Sequence, residues 1–126
     1  MQSYLVVFLG AGIGGMVRHG TNIWVGRLLG TGFPSYTLII NVVGSLAMGL
    51  VAGWFTMKGG AAGHTRLFLA TGILGGFTTF SAFSLDAVLL WERHEHLQAA
   101  LYVGGSVAGA IAGLLLGLWI MRTALA

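Results

Sequence analysis

The chain has 126 residues, of which 56% are hydrophobic and 7% are charged, with a formal net charge of +3 and no cysteine. A soluble domain carries about 25% charged residues because its surface faces water. A soluble enzyme, a disordered chain and a nucleic-acid-binding domain are therefore disfavoured, and lipid is the solvent that fits. The missing cysteine removes disulfides, thiolate metal sites and thiol nucleophiles.

A helix needs about 20 apolar residues to cross a bilayer core. Four stretches qualify, residues 4–24, 36–57, 67–91 and 97–121. They predict an all-α integral membrane protein with one four-helix transmembrane domain over residues 1–126. The first stretch lacks a basic lead-in and outruns a signal-peptide core, so it reads as a retained span. Its Gly10 and Gly14 favour close packing. Its Arg18 lies about 20 Å along a helix from Tyr4, where it can snorkel to the far interface or serve an anion vestibule. Residues 26–35 have the Gly/Pro punctuation of a turn. The second stretch carries Asn41, with Gly49 and Gly53 repeating the small-residue spacing. Residues 58–66 form a polar, glycine-rich link.

The third stretch, LFLATGILGGFTTFSAFSLDAVLLW, is the anomaly. It places Thr71, Thr78, Thr79, Ser81, Ser84 and Asp86 in a span, where a polar group costs free energy without a partner or a watery path. Gly75 and Gly76 ahead of Thr78 and Thr79 predict a helix broken mid-membrane. Irregular backbone survives there only inside protein or along a cavity. Such a break offers carbonyl oxygens to a cation and amides to an anion. The charged turn ERHEH follows; His94 and His96 beside Glu92 and Glu95 read as a solvated turn rather than a metal site. In the fourth stretch Gly105, Gly109, Gly113 and Gly117 make a flat stripe. Four small helices cannot bury every such stripe among themselves, so part of them is expected at a subunit contact.

Four spans put Lys58, Arg66 and Arg122 on one side of the membrane and Arg27 and Arg93 on the other, 3 against 2, or 3 against 3 if Arg18 joins the latter. Orientation normally follows Lys/Arg imbalance. Its near absence allows insertion both ways, and an antiparallel dual-topology homodimer follows as an expectation. Phe80 and Phe83 share a helix face, with Ser81 and Ser84 at the same spacing on a neighbouring face. Ring edges are electropositive, and hydroxyls and an Asn amide donate hydrogen bonds. Together they can pass an anion without holding it as tightly as a lysine would.

GGFTTFSAFS closely resembles the GG-[FL]-[ST]-TFSTFS signature of the Fluc (CrcB) fluoride channels. Weaker matches are Gly12, Gly14, Gly15 and Arg18 in the first span, Thr37 and Asn41 in the second, and Tyr102 at the start of the fourth. The resemblance implies antiparallel dual-topology dimers with two pores that passively export fluoride across the inner (plasma) membrane of a microbe and relieve fluoride toxicity. It implies no enzyme activity and no organic cofactor. It implies fluoride-pore roles for Asn41, Phe80, Phe83, Ser81, Ser84, Thr79, Thr37 and Tyr102, and a vestibule or structural charge for Arg18 and Asp86. It further implies that the backbone carbonyls of Gly75 and Thr78 hold a structural sodium ion at the dimer centre. Two residues depart from the family pattern: Ala82 removes a hydroxyl, and Asp86 stands where Glu is usual. The rival reading is a small dual-topology proton-coupled antiporter of cationic compounds. It needs a carboxylate in the first span, which has none. A non-transporting assembly subunit would explain the glycines but not the buried hydroxyls.

Overall fold

Helix α1 (Gln2–Leu29) runs five residues past the expected span. It ends at Gly30, whose φ of 79° lies in the left-handed region and whose N–H bonds to the Gly26 carbonyl. The turn that the composition predicts is thus reduced to a short connection before α2 (Ser35–Lys58). Helix α2 also ends on a glycine, Gly59, in the left-handed conformation at φ 68° and ψ 14°. In this computed structural model residues 1–59 and 63–126 are described. The glycine-rich link expected over 58–66 lies partly outside them.

Helix α3 covers residues 64–77. It begins as an α-helical turn (His64–Arg66), widens into a π-helical stretch (Leu67–Leu74), and closes as a last short turn (Gly75–Phe77). Thr78 and Thr79 are extended, with φ/ψ of −78°/158° and −153°/120°. Helix α4 (Phe80–Glu92) then continues the column. It is capped by Arg93 and followed by His94, the one non-glycine with positive φ among the described residues (59°). Helix α5 (His96–Ala124) completes the chain. Among the described residues the ordered elements are all helical.

Three of the helical columns are long and apolar enough to cross a membrane: Ser35–Lys58, His64–Glu92 and His96–Ala124. Helix α1 is long enough at 28 residues, but Arg18, His19, Asn22 and Arg27 dilute its apolar character. The outer surface carries Phe8, Trp24, Leu115 and Trp119, all exposed. Water would penalise such a surface; hydrocarbon does not.

The small residues lie where the helices touch. A Cβ added to Gly10 would stand 2.7 Å from the Phe68 carbonyl, and one added to Gly76 would stand 2.5 Å from the Ala11 carbonyl. Helix α1 thus lies backbone against backbone on α3. A Cβ on Gly53 would reach the Met121 side chain at 2.7 Å, and one on Gly113 the Val42 carbonyl at 3.2 Å, so α2 and α5 meet in the same manner. Gly14, Gly49 and Gly117 likewise face Ile73, Leu114 and Leu46 of this chain. Most of the glycines named from the sequence turn inward, because small faces on α1 meet α3 while those on α2 meet α5. Gly105 remains exposed, with Leu38 its nearest neighbour at 3.9 Å.

Candidate functional site

The site is built around the two extended residues. Extended backbone takes amides and carbonyls out of the helical ladder, and each then needs another partner. Side chains from two other helices provide them. Asn41 on α2 donates through Nδ2 to the Thr79 carbonyl at 2.9 Å, and its Oδ1 accepts from the Thr79 N–H at 2.8 Å. Arg18 on α1 donates through Nη1 to the Thr78 carbonyl at 3.2 Å. Thr78 caps the preceding turn itself: its N–H and hydroxyl both donate to the Leu74 carbonyl, at 3.0 and 2.9 Å. Thr79 is the N-cap of α4, its Oγ1 accepting from the Ala82 N–H at 3.2 Å.

These contacts redefine two residues. Arg18 turns into the bundle toward the interruption rather than outward to an interface. Asn41 spends one N–H and one acceptor position on Thr79, which leaves one of each for a further partner. Ser84 bonds to its own helix, donating to the Phe80 carbonyl at 2.9 Å.

Two cavities flank Thr79. One, of about 290 Å³, lies between Asn41, Ser45, Thr78, Phe80, Phe83 and Ser106. The other, of about 430 Å³, lies between Arg18, Asn22, Thr37, Ser81 and Leu85. The first contains the phenylalanine pair, with ring centroids 5.5 Å apart and planes tilted by 44°. It also contains Ser106, only 4% exposed, whose hydroxyl has no hydrogen-bond partner. A buried unpaired hydroxyl costs about 1–3 kcal/mol, so such a group beside a cavity points to a ligand or water that completes it.

Tyr102 and Asp86 stand apart from both cavities. Tyr102 is fully buried and donates to Asp86 Oδ2 at 3.0 Å. Asp86 therefore accepts from a phenol. The Tyr102 ring lies 5.4 Å from that of Phe83, which ties it to the phenylalanine pair indirectly.

The sodium ion implied by the family resemblance meets a donor set that fits in part. In a continuous helix the Thr79 N–H would bond to the Gly75 carbonyl; here it bonds to Asn41, which leaves that carbonyl without its usual ladder partner. The Thr78 carbonyl has one lone pair engaged by Arg18 and one remaining. Among the described residues no cluster of three His, Asp or Glu side chains is placed to hold a metal. The rings of His94 and His96, 5.9 Å apart, belong to the turn.

Ser106, Ser45 and Asn22 are absent from the site residues expected from sequence. Each is a polar side chain within an apolar run, the same signal that picks out Asn41. Asn22 also has a buried unpaired Oδ1 at the second cavity.

A column interrupted by side-chain-satisfied extended backbone, flanked by partly polar cavities and wrapped in apolar helices, defines a multi-pass membrane protein. A family model described as CrcB-like protein, Camphor Resistance (CrcB), matches residues 5–118. A fluoride-specific ion channel FluC of Rhodopseudomonas palustris is 64% identical over 121 residues, 96% of this chain and 98% of that relative. Another FluC, from Methylobacterium nodulans, is 59% identical over 122 residues, 97% of this chain and 98% of its own. The FluC 2 of Nitrobacter hamburgensis is 54% identical over 121 residues, with 96% and 98% covered. The chain belongs to the CrcB family.

Proposed function

We propose that the chain is a fluoride-selective passive ion channel of the inner membrane; the names of its relatives support the fluoride-channel part of this reading. The family is not an enzyme class, and conduction needs no covalent step. The observation that carries the reading is the cavity at the interruption, where the Phe80 and Phe83 rings and the unpaired Ser106 hydroxyl face one space. Ring edges and hydroxyls bind an anion without full charge, weakly enough to release it. The amides that open α4 add donors at the positive end of a helix dipole.

On this reading α1 is the fourth span, and the interruption sits at mid-membrane depth. The pore residues are Asn41, Thr79, Phe80, Ser81, Phe83 and Ser84, with Thr37 and Tyr102 along the route and Arg18 and Asp86 as its fixed charges. Phe80 is 78% exposed in the single chain. A ring that borders a pore needs a second wall, which supports an antiparallel homodimer with two pores. The carbonyls of Gly75 and Thr78 would hold sodium at its centre, where the ion would neutralise facing carbonyl dipoles.

The test is fluoride efflux from liposomes containing the purified protein, with chloride as control. The expected result is rapid fluoride loss that Phe80→Ile, Phe83→Ile and Asn41→Asp each abolish. Absence of fluoride efflux from the parent protein refutes the proposal. Proton-coupled cation uptake would instead favour the antiporter reading, for which α1 offers no carboxylate.

A further inference from the structure

Four aromatic rings form a continuous row from the connection between α1 and α2 to the interruption. Phe33 in that connection meets Tyr102 edge-to-face, with centroids 5.7 Å apart and planes at 87°. Tyr102 lies 5.4 Å from Phe83 at 32°, and Phe83 lies 5.5 Å from Phe80 at 44°. The row is anchored at its outer end. The Phe33 carbonyl accepts from the Ser35 N–H at 2.8 Å, and the neighbouring Gly32 carbonyl accepts from Arg93 Nη2 at 3.2 Å. Arg93 caps α4, the helix that carries Phe80 and Phe83.

We infer that Phe33 is a positioning residue that sets the Phe83 ring through Tyr102, an inference that rests on the channel reading above. The phenol end of Tyr102 is tethered to Asp86, which fixes its hydroxyl but leaves the ring free to tilt about that tether. Phe33 packs against this ring as part of the same apolar cluster as Leu90 and Ala99. Interiors are close-packed, so a ring with neighbours on several sides holds one tilt. Removing Phe33 gives Tyr102 room, and Phe83 at 5.4 Å follows it. Phe83 lines the cavity it shares with Ser106, so its ring then presents a different part of itself to that space. A halide path relying on ring edges is sensitive to that rotation, because the ring face is repulsive to an anion. The connection between α1 and α2 thereby tunes anion preference without lining the cavity.

The experiment compares the parent protein with Phe33→Ala, Phe33→Leu and Phe33→Tyr in liposomes, reading fluoride and chloride efflux. Thermal unfolding in detergent is followed in parallel. Phe33→Ala is expected to slow fluoride efflux about fivefold, the factor that corresponds to losing an aromatic contact of ~1 kcal/mol, and to lower the fluoride-to-chloride ratio. Phe33→Tyr, which keeps the ring, should stay within about twofold of the parent. Phe33→Leu keeps apolar bulk without a ring and should resemble Phe33→Ala, so it carries the same test if the alanine variant fails to fold. Efflux and ion ratio unchanged in Phe33→Ala or Phe33→Leu overturn the inference, as does a Phe33→Tyr protein as slow as they are. A parent without fluoride efflux refutes the channel reading itself, whereas a conducting parent with indifferent Phe33 variants refutes only the role of Phe33.

Discussion

Replacing Asn41 by Ala should close the interruption. Asn41 makes two hydrogen bonds to Thr79, at 2.9 and 2.8 Å, each worth about 1 kcal/mol net. The competing state is a continuous helix, in which the Thr79 N–H returns to the Gly75 carbonyl and regains about 1 kcal/mol. That bond exists in the continuous state of parent and variant alike, so Asn41→Ala moves the balance by the two lost bonds, ~2 kcal/mol toward the continuous helix, a factor of about 30 in population. Two measurements are needed, because an asparagine that merely donated to a passing anion would also lose flux when truncated. Fluoride efflux should fall by up to about thirtyfold. Hydrogen exchange at the Phe80 and Ser81 amides should slow as the ladder reforms across them. Lost efflux with unchanged exchange would refute the reasoning, leaving Asn41 as a direct anion contact instead of the clamp that holds the backbone open.

Other substitutions test neighbouring parts of the argument. Gly14→Ala would drive a Cβ into the Ile73 carbonyl and should destabilise the bundle by ~3 kcal/mol or more, whereas Gly20→Ala, with nothing within 4 Å, should be neutral or stabilising by up to ~1 kcal/mol; thermal unfolding in detergent compares them. Ser106→Ala removes a buried hydroxyl that has no partner, so stability should hold or rise while fluoride efflux falls about tenfold, the loss of one ~1.4 kcal/mol hydrogen bond to the ion. If both fall together, Ser106 is a packing residue. His94→Gly should raise stability by ~1 kcal/mol, since glycine takes the left-handed conformation that His94 holds at φ 59° at no steric cost; a lower unfolding temperature would count against this.

What the sequence exposes and what it conceals divide along a physical line. Asn41, Thr78 and Thr79 stand out because a polar side chain in an apolar run is an energetic anomaly that composition alone reveals. Their partners do not. The Asn41–Thr79 bonds span 38 positions, and the Arg18–Thr78 bond spans 60, and no periodicity encodes either. Arg18 read in isolation has a plausible way out to an interface, and only the position of α1 against α3 shows it turned inward. The glycines behave similarly: their spacing announces close approach, but whether the approaching surface is a sister helix or a second subunit depends on the helix arrangement. Ser106 is legible by the same test as Asn41, yet a single hydroxyl among glycines carries little signal until the cavity beside it is known. The π-helical widening over Leu67–Leu74 has no counterpart in the hydropathy pattern, which reads those residues simply as span.

The interruption itself joins fold to function. Gly75 and Gly76 lower the helix propensity just before it, but weak propensity alone would let the ladder continue, since a membrane interior penalises every unmade backbone bond. The extended state becomes favourable because α1 and α2 bring Arg18 and Asn41 to the carbonyls of Thr78 and Thr79. Once it forms, opposite groups become available on its two sides. The Gly75 carbonyl gives up its bond from Thr79, which suits a cation, while α4 acquires a free N-terminus beside Phe80 and Ser81, which suits an anion. A guanidinium at Thr78 then adds fixed positive charge on the anion side without lining the cavity that holds the phenylalanine pair. On the channel reading, the side chains that stabilise the fold at this point are therefore the ones that create the site, and a substitution that merely weakened an anion contact would leave the backbone where it is.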